Sequence, residues 1–73
     1  MNESIATNVR TKRLEKGYKQ EVLALECNMS QANLSHIERG KVNPSEKIME
    51  KIAKSLETTT EELKCGVRIE HNN

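Results

Sequence analysis

The chain contains no Trp and no Phe, and Tyr18 is its one aromatic residue. Proteins that hold single-stranded nucleic acid stack bases on several aromatic rings, so that class is disfavoured. Cysteine is scarce as well. Cys27 and Cys65 are far apart and form no C-x-x-C pair, and neither His36 nor His71 is placed to complete a four-ligand zinc site. No metal or other cofactor is expected. Cys27 reads as a small buried apolar residue and Cys65 as a free thiol near a helix end. No apolar run approaches the roughly 18 residues of a membrane span, and no signal-peptide core follows Met1. These absences predict an intracellular, cytoplasmic protein with no membrane partner. There is also no internal repeat, low-complexity tract or linker.

A strong net charge is missing too. The total is +1, which by itself counts against nucleic-acid binding. The distribution softens this. Residues 1–20 hold Arg10, Lys12, Arg13, Lys16 and Lys19 against Glu3 and Glu15, a local balance of +3, while residues 21–41 and 42–73 each come to −1. Phosphate contact depends on local cations and helix N-termini rather than on the total. With 73 residues the chain makes one domain near the lower size limit for a core without disulfide or metal.

What is present is helical periodicity. Residues 4–16 read as a first helix: Ile5 and Val9 are four apart, Arg13 follows on the same face, and Gly17 stops it. Ser4 or Asn2 could cap it. Further helices are predicted over Gln20–Cys27 and Gln31–Glu38, the latter capped by Ser30 and ended by Gly40. Pro44 suits a first helical position, and Asn43 or Ser45 could cap the helix that follows. In that helix Met49, Ile52, Ala53 and Leu56 recur at i, i+3, i+4 and i+7, a core-facing stripe that Ile48 widens. Thr59 and Glu62 form a capping box for a short last helix, with Leu63 turned inward. The prediction is an all-α bundle of five short helices, a single domain over residues 1–65, with 66–73 as a tail. In the tail Val67 and Ile69 alternate with Arg68 and Glu70, which suits a short strand against a partner chain, although the polar end favours a frayed terminus.

Residues 20–41, QEVLALECNMSQANLSHIERGK, carry the functional signal. Leu23, Ala24, Cys27, Met29, Leu34 and Ile37 give two short helices one shared apolar face. Small Ala24 lies where the helices would touch, and Asn28 lies where the turn needs a left-handed residue. Between them Ser30, Gln31, Asn33, Ser35 and His36 point outward. A buried inner face and an amide-rich outer face suit the DNA major groove, so residues of about 20–39 read as a helix-turn-helix.

Around this core stand further landmarks in order: Val9-Arg10-x-x-Arg13, Lys16-Gly17-Tyr18-Lys19-Gln20, Ala24, Ser35-His36-Ile37-Glu38-Arg39-Gly40-Lys41, Pro44-Ser45, Lys51-Ile52-Ala53, Leu56 and Glu62-Leu63. Over about residues 5–64 the chain resembles the XRE/Cro-type helix-turn-helix domain of lambdoid phage repressors and many small bacterial regulators. The resemblance implies that Gln31, Ala32 and His36 read bases, with Asn33 and Ser35 beside them. It implies that Gln20 holds a phosphate and braces the recognition helix, that Ser30 donates to phosphate, and that Lys41 faces the DNA backbone, where Arg10 and Lys19 add charge. It also makes Arg13 and Glu38 a buried ion pair joining the first helix to the end of the third. The chain departs from the pattern at Asn28, usually Gly, and at Lys19, usually a capping Ser or Thr, with Val22 where an acidic residue is common. The lost cap costs about 1 kcal/mol. The segment just before the fourth helix lacks an Arg for the minor groove, so reading there should be weak.

Residue chemistry allows more than one reading of this face. Gln31 can bond bidentately to adenine or remain a solvated first-turn residue. Ala32 can pack on a thymine methyl or simply leave clearance. His36 can donate to guanine or to a phosphate, or do neither. Arg13 and Glu38 suggest no enzyme, because no second carboxylate, Ser/His/Asp set or glycine-rich phosphate loop accompanies them. The expectation is a sequence-specific regulator of duplex DNA, a repressor acting as a homodimer on an inverted repeat. Its rivals are an antitoxin or restriction-modification controller built on the same domain, and a protein-interaction adaptor that has lost DNA binding.

Overall fold

The computed structural model describes residues 5–65, which form five α-helices and, among them, no strand. These are α1 (Ile5–Lys16), α2 (Gln20–Glu26), α3 (Gln31–Glu38), α4 (Glu46–Ser55) and α5 (Thr60–Cys65). The all-α, five-helix expectation is borne out. The candidate caps of α1, the tail and the side chain of Cys65 lie outside the described residues.

The helices pack because each buries one stripe. Val9, Leu23, Ala24, Cys27, Leu34, Met49, Ile52, Ala53, Leu56 and Leu63 make one continuous core, with Ile5, Tyr18, Met29 and Ile48 packed at its edge. The α4 stripe faces inward as its periodicity predicted, none of Met49, Ile52, Ala53 and Leu56 exceeding 4% exposure. Burying a side chain of this size contributes about 1.5–3 kcal/mol. In outline α3 lies between α1 and α2, while α5 bridges α1 and α4. One polar pin assists: buried Asn8 donates from Nδ2 to the Leu63 carbonyl at 2.6 Å, fixing α1 against α5. Nothing in the periodicity of α1 marked Asn8 for that role.

Four helix ends share one hydrogen-bond pattern. Gly17, Asn28, Gly40 and Glu57 each adopt positive φ, at 80°, 59°, 76° and 57°. The next residue's amide then reaches back past the turn: Tyr18 to Arg13, Met29 to Ala24, Lys41 to His36 and Thr58 to Ala53. This left-handed closure satisfies carbonyls that a helix end would otherwise orphan. Glycine adopts it without steric cost and Asn with little. Glu57 has no such excuse.

The helix starts refine the sequence reading. Ser30 accepts from the Asn33 amide at 3.0 Å. Ser45, not Asn43, caps α4, its Oγ accepting from Ile48 at 3.2 Å. Because α4 begins at Glu46, Pro44 precedes the cap instead of taking the first helical position; the extended Ser45 supplies the acceptor. Thr59 Oγ1 accepts from the Glu62 amide at 3.1 Å. The Glu62 carboxylate accepts from the Thr58 hydroxyl at 2.5 Å and pairs with Lys12 at 3.2 Å, tying α5 to α1. Helix α2 starts at Gln20, its N-cap Lys19 makes no side-chain capping bond, and Cys27 forms its C-cap. Near the α1–α2 turn the Lys16 ammonium lies 5.8 Å from the centre of the Tyr18 ring and 3.0 Å from the Glu57 carboxylate. Its hydrogen bond to Glu57 raises the Lys16 pKa above the ordinary value.

Candidate nucleic-acid interface

Helix α3 divides cleanly. Leu34, Ile37 and Glu38 turn inward, whereas Gln31, Ala32, Asn33 and His36 are exposed and Ser35 is half-buried. At 3.6 residues per turn Ala32 and His36 sit near the centre of the outward face. Gln31 and Ser35, four apart, form one flank, and Asn33 lies on the other. The structure therefore gathers all five candidate base-reading residues on one surface, with Ser35 the most recessed.

The turn that presents this face is built from three local decisions. Asn28 takes the left-handed conformation with φ 59°. Ser30 is extended, with φ −76° and ψ 154°, and its oxygen is spent on the Asn33 amide while its hydroxyl proton stays available to an acceptor. Ala24, 2% exposed, leaves room for α2 and α3 to approach. A larger side chain there would push the helices apart.

Behind the face lies a polar cluster. Arg13 donates from Nε to Glu38 Oε2 at 2.7 Å and from Nη2 to Glu38 Oε1 at 3.0 Å, a bidentate pair. Its Nη1 donates to the Tyr18 carbonyl at 2.8 Å. Glu38 Oε1 also accepts from Gln20 Nε2 at 3.0 Å, and Gln20 Oε1 accepts from Gln31 Nε2 at 3.4 Å. Arg13 and Glu38 are 8% and 7% exposed. No buried side-chain nitrogen or oxygen among the described residues lacks a hydrogen-bond partner, the condition under which a buried ion pair can be tolerated. The bonds of Arg13 to Tyr18 and of Gln20 to Glu38 had no signature in the sequence, since carbonyl partners and pairs 18 residues apart leave no periodic trace.

Exposed cations border this surface, Lys19, Lys41 and Arg10 among them. Lys19 precedes α2 and Lys41 follows α3. Arg10 shares a side of α1 with Ala6 and Arg13, three to four residues away. Arg13 grips Glu38, and a Cβ built on Gly40 would stand 3.8 Å from Ala6 Cβ. Arg10 therefore sits between two contacts with the end of α3. None of the three has an ion-pair partner among the described residues, so their charge is available to an external anion. Among those residues no three of His, Cys, Asp and Glu gather as a metal site, and no helix is long and apolar enough to cross a membrane.

A five-helix bundle whose second and third helices present a polar, cation-bordered face defines the class of small helix-turn-helix proteins. Comparison with known proteins makes the family explicit. The helix-turn-helix family profile matches residues 9–63, and the chain belongs to the XRE-type helix-turn-helix family of DNA-binding transcription regulators. No curated protein sequence matches it. Among solved structures it is similar to the N-terminal DNA-binding domain of SinR from Bacillus subtilis, with 33% identity and TM-score 0.76 over 81% of this chain and 87% of that one. It is similar to the restriction-modification controller C.AhdI from Aeromonas hydrophila, with 30% identity and TM-score 0.77 over 81% of this chain and 89% of that one. The P22 c2 repressor, solved with a synthetic operator, superposes with TM-score 0.84 at 20% identity over 89% of this chain and 98% of that one. At that identity the last likeness concerns the fold alone.

Proposed function

We propose that this protein binds duplex DNA sequence-specifically and represses transcription, two copies occupying an inverted repeat. The observation that carries this reading is the outward face of α3, with Gln31, Ala32 and His36 exposed over a buried, hydrogen-bonded support. Gln31, Ala32 and His36 read bases, with Asn33 and Ser35 at the margins. Ser30, Gln20, Lys19, Lys41 and Arg10 contact the phosphate backbone. Backbone contacts set the pose, and base contacts choose the site. Support comes from SinR, which has also been solved in complex with DNA and is 33% identical over 81% of this chain. One recognition helix meets few base pairs, so useful affinity requires a pair of half-sites about one helical turn apart. The C.AhdI likeness favours a second reading, control of a restriction-modification operon, which uses the same DNA contacts.

The test is selection from a randomised duplex library followed by sequencing. An enriched inverted repeat supports the proposal, and Gln31→Ala should then erase preference at one pair per half-site, a loss of about 1–3 kcal/mol of discrimination. A folded protein that enriches no sequence refutes it and turns attention to a protein partner, the kind of complex that SinR forms with SinI.

A further inference from the structure

We propose that Glu38 is a positioning residue for base recognition, its buried carboxylate dictating through Gln20 which way round Gln31 presents its amide. This rests on the DNA-reading role of Gln31 proposed above. A carboxylate only accepts hydrogen bonds, whereas an amide has a donating end and an accepting end. Glu38 Oε1 lies 3.0 Å from Gln20 Nε2. Turning the Gln20 amide round would set two oxygens against each other at that distance, beside a charge 7% exposed. One Nε2 proton of Gln20 is therefore committed inward and its oxygen toward α3, which leaves the second Nε2 proton for a phosphate. That oxygen in turn demands a donor, and Gln31 Nε2 meets it at 3.4 Å.

Gln31 is left with a definite presentation: Oε1 as acceptor and the second Nε2 proton as donor, side by side at the front of α3. Adenine offers the matching pair in the major groove, an N6 donor beside an N7 acceptor. Guanine offers two acceptors and matches it poorly. Arg13 completes the chain of constraint, because its two bonds to Glu38, at 2.7 and 3.0 Å, stop the carboxylate from rotating. The core ion pair is thus wired to the reading head through two alternating donor–acceptor steps. The glutamines do the touching, and Glu38 sets their sense.

The experiment repeats the library selection with the full chain and three variants. Gln31→Ala marks the base pair that Gln31 reads. Gln20→Met breaks the chain of bonds while leaving the Arg13–Glu38 pair whole. Glu38→Gln replaces an obligate acceptor by a group that can donate. The proposal expects Gln20→Met to cut adenine preference at the marked pair about tenfold relative to the other positions. It expects Glu38→Gln to move that preference toward guanine. Should Glu38→Gln fail to fold, Gln20→Met decides alone. Uniformly weaker binding with unchanged base frequencies would overturn the proposal, leaving Glu38 a member of a structural ion pair, and sequence-specific binding would stand. If the parent protein itself enriches nothing, the DNA reading fails first and this inference falls with it.

Discussion

Arg13 spends its guanidinium on three acceptors, two oxygens of Glu38 and the Tyr18 carbonyl. Removing it strands a buried carboxylate, so Arg13→Ala should destabilise the fold by about 3–5 kcal/mol in urea or thermal unfolding. Replacing both partners, as in Arg13→Met with Glu38→Leu, should cost far less, because no charge is left uncompensated. Equal losses in the single and double variants would show that packing, not the pair, carries the effect. Cys27 gives a residue-scale prediction of opposite character. Burial pushes its thiol pKa up, only partly offset by the Ser55 hydroxyl. The folded state therefore holds this proton to higher pH than the unfolded chain does, and stability should fall as alkaline pH carries the unfolded thiol through its titration. Lys16, raised by Glu57, acts in the same sense, its contribution present below the unfolded ammonium value and lost above it. In a Cys65→Ser background, Cys27 should resist maleimide at neutral pH until the protein is unfolded. Rapid labelling of the folded protein would contradict its burial.

Among the elements, the helix ends separate what the chain announces from what packing imposes. Gly17 and Gly40 mark their stops openly, and Asn28 is legible because few other side chains accept the left-handed region. Glu57 is not legible: its residue type has no preference for φ 57°, and the conformation is forced where α4 must turn into α5 so that Leu63 reaches the core. Glu57→Gly should raise stability by about 0.5 kcal/mol, the relieved strain less the extra freedom of glycine in the unfolded chain. The exposed pair with Lys16 is worth little against this. Calorimetry reads the sign directly. Ser45→Ala should cost about 1 kcal/mol, and an unchanged midpoint would mean that Pro44, not the cap, sets the start of α4. The same contrast holds at the interface. The α4 stripe and the polar face of α3 follow from spacing alone. The roles of Gln20 and Glu38 came from family resemblance, and the bond between them only from the fold, because it joins two helices at no fixed interval.

At the scale of the whole molecule, a net charge of +1 coexists with exposed cations, Lys19, Lys41 and Arg10 included, that lack ion-pair partners among the described residues and border one face. Neutralised phosphates are counted by the salt dependence of binding, not by total charge. Lys41→Ala and Lys19→Ala should each weaken DNA binding nearly equally for all sequences and lower the slope of log affinity against log salt by about 1 per subunit. Gln31→Ala should leave the slope alone and change the preferred sequence. If the lysine variants kept the full slope, the proposed docking pose would be wrong. The exposed Leu14, Val22, Leu25 and Val42 are scattered over α1, α2 and the α3–α4 loop, and single apolar residues of this kind are ordinary on a protein surface.

The scarcity of aromatic residues has an experimental dividend. Tyr18 is the chain's lone phenol, its ring half-buried beneath Lys16 and its carbonyl clasped by Arg13. With no tryptophan to outshine it, intrinsic ultraviolet emission comes from a single address next to Lys19 and Gln20. The protein carries its own optical probe at the hinge of its proposed docking surface, and no dye need be attached to watch that corner respond.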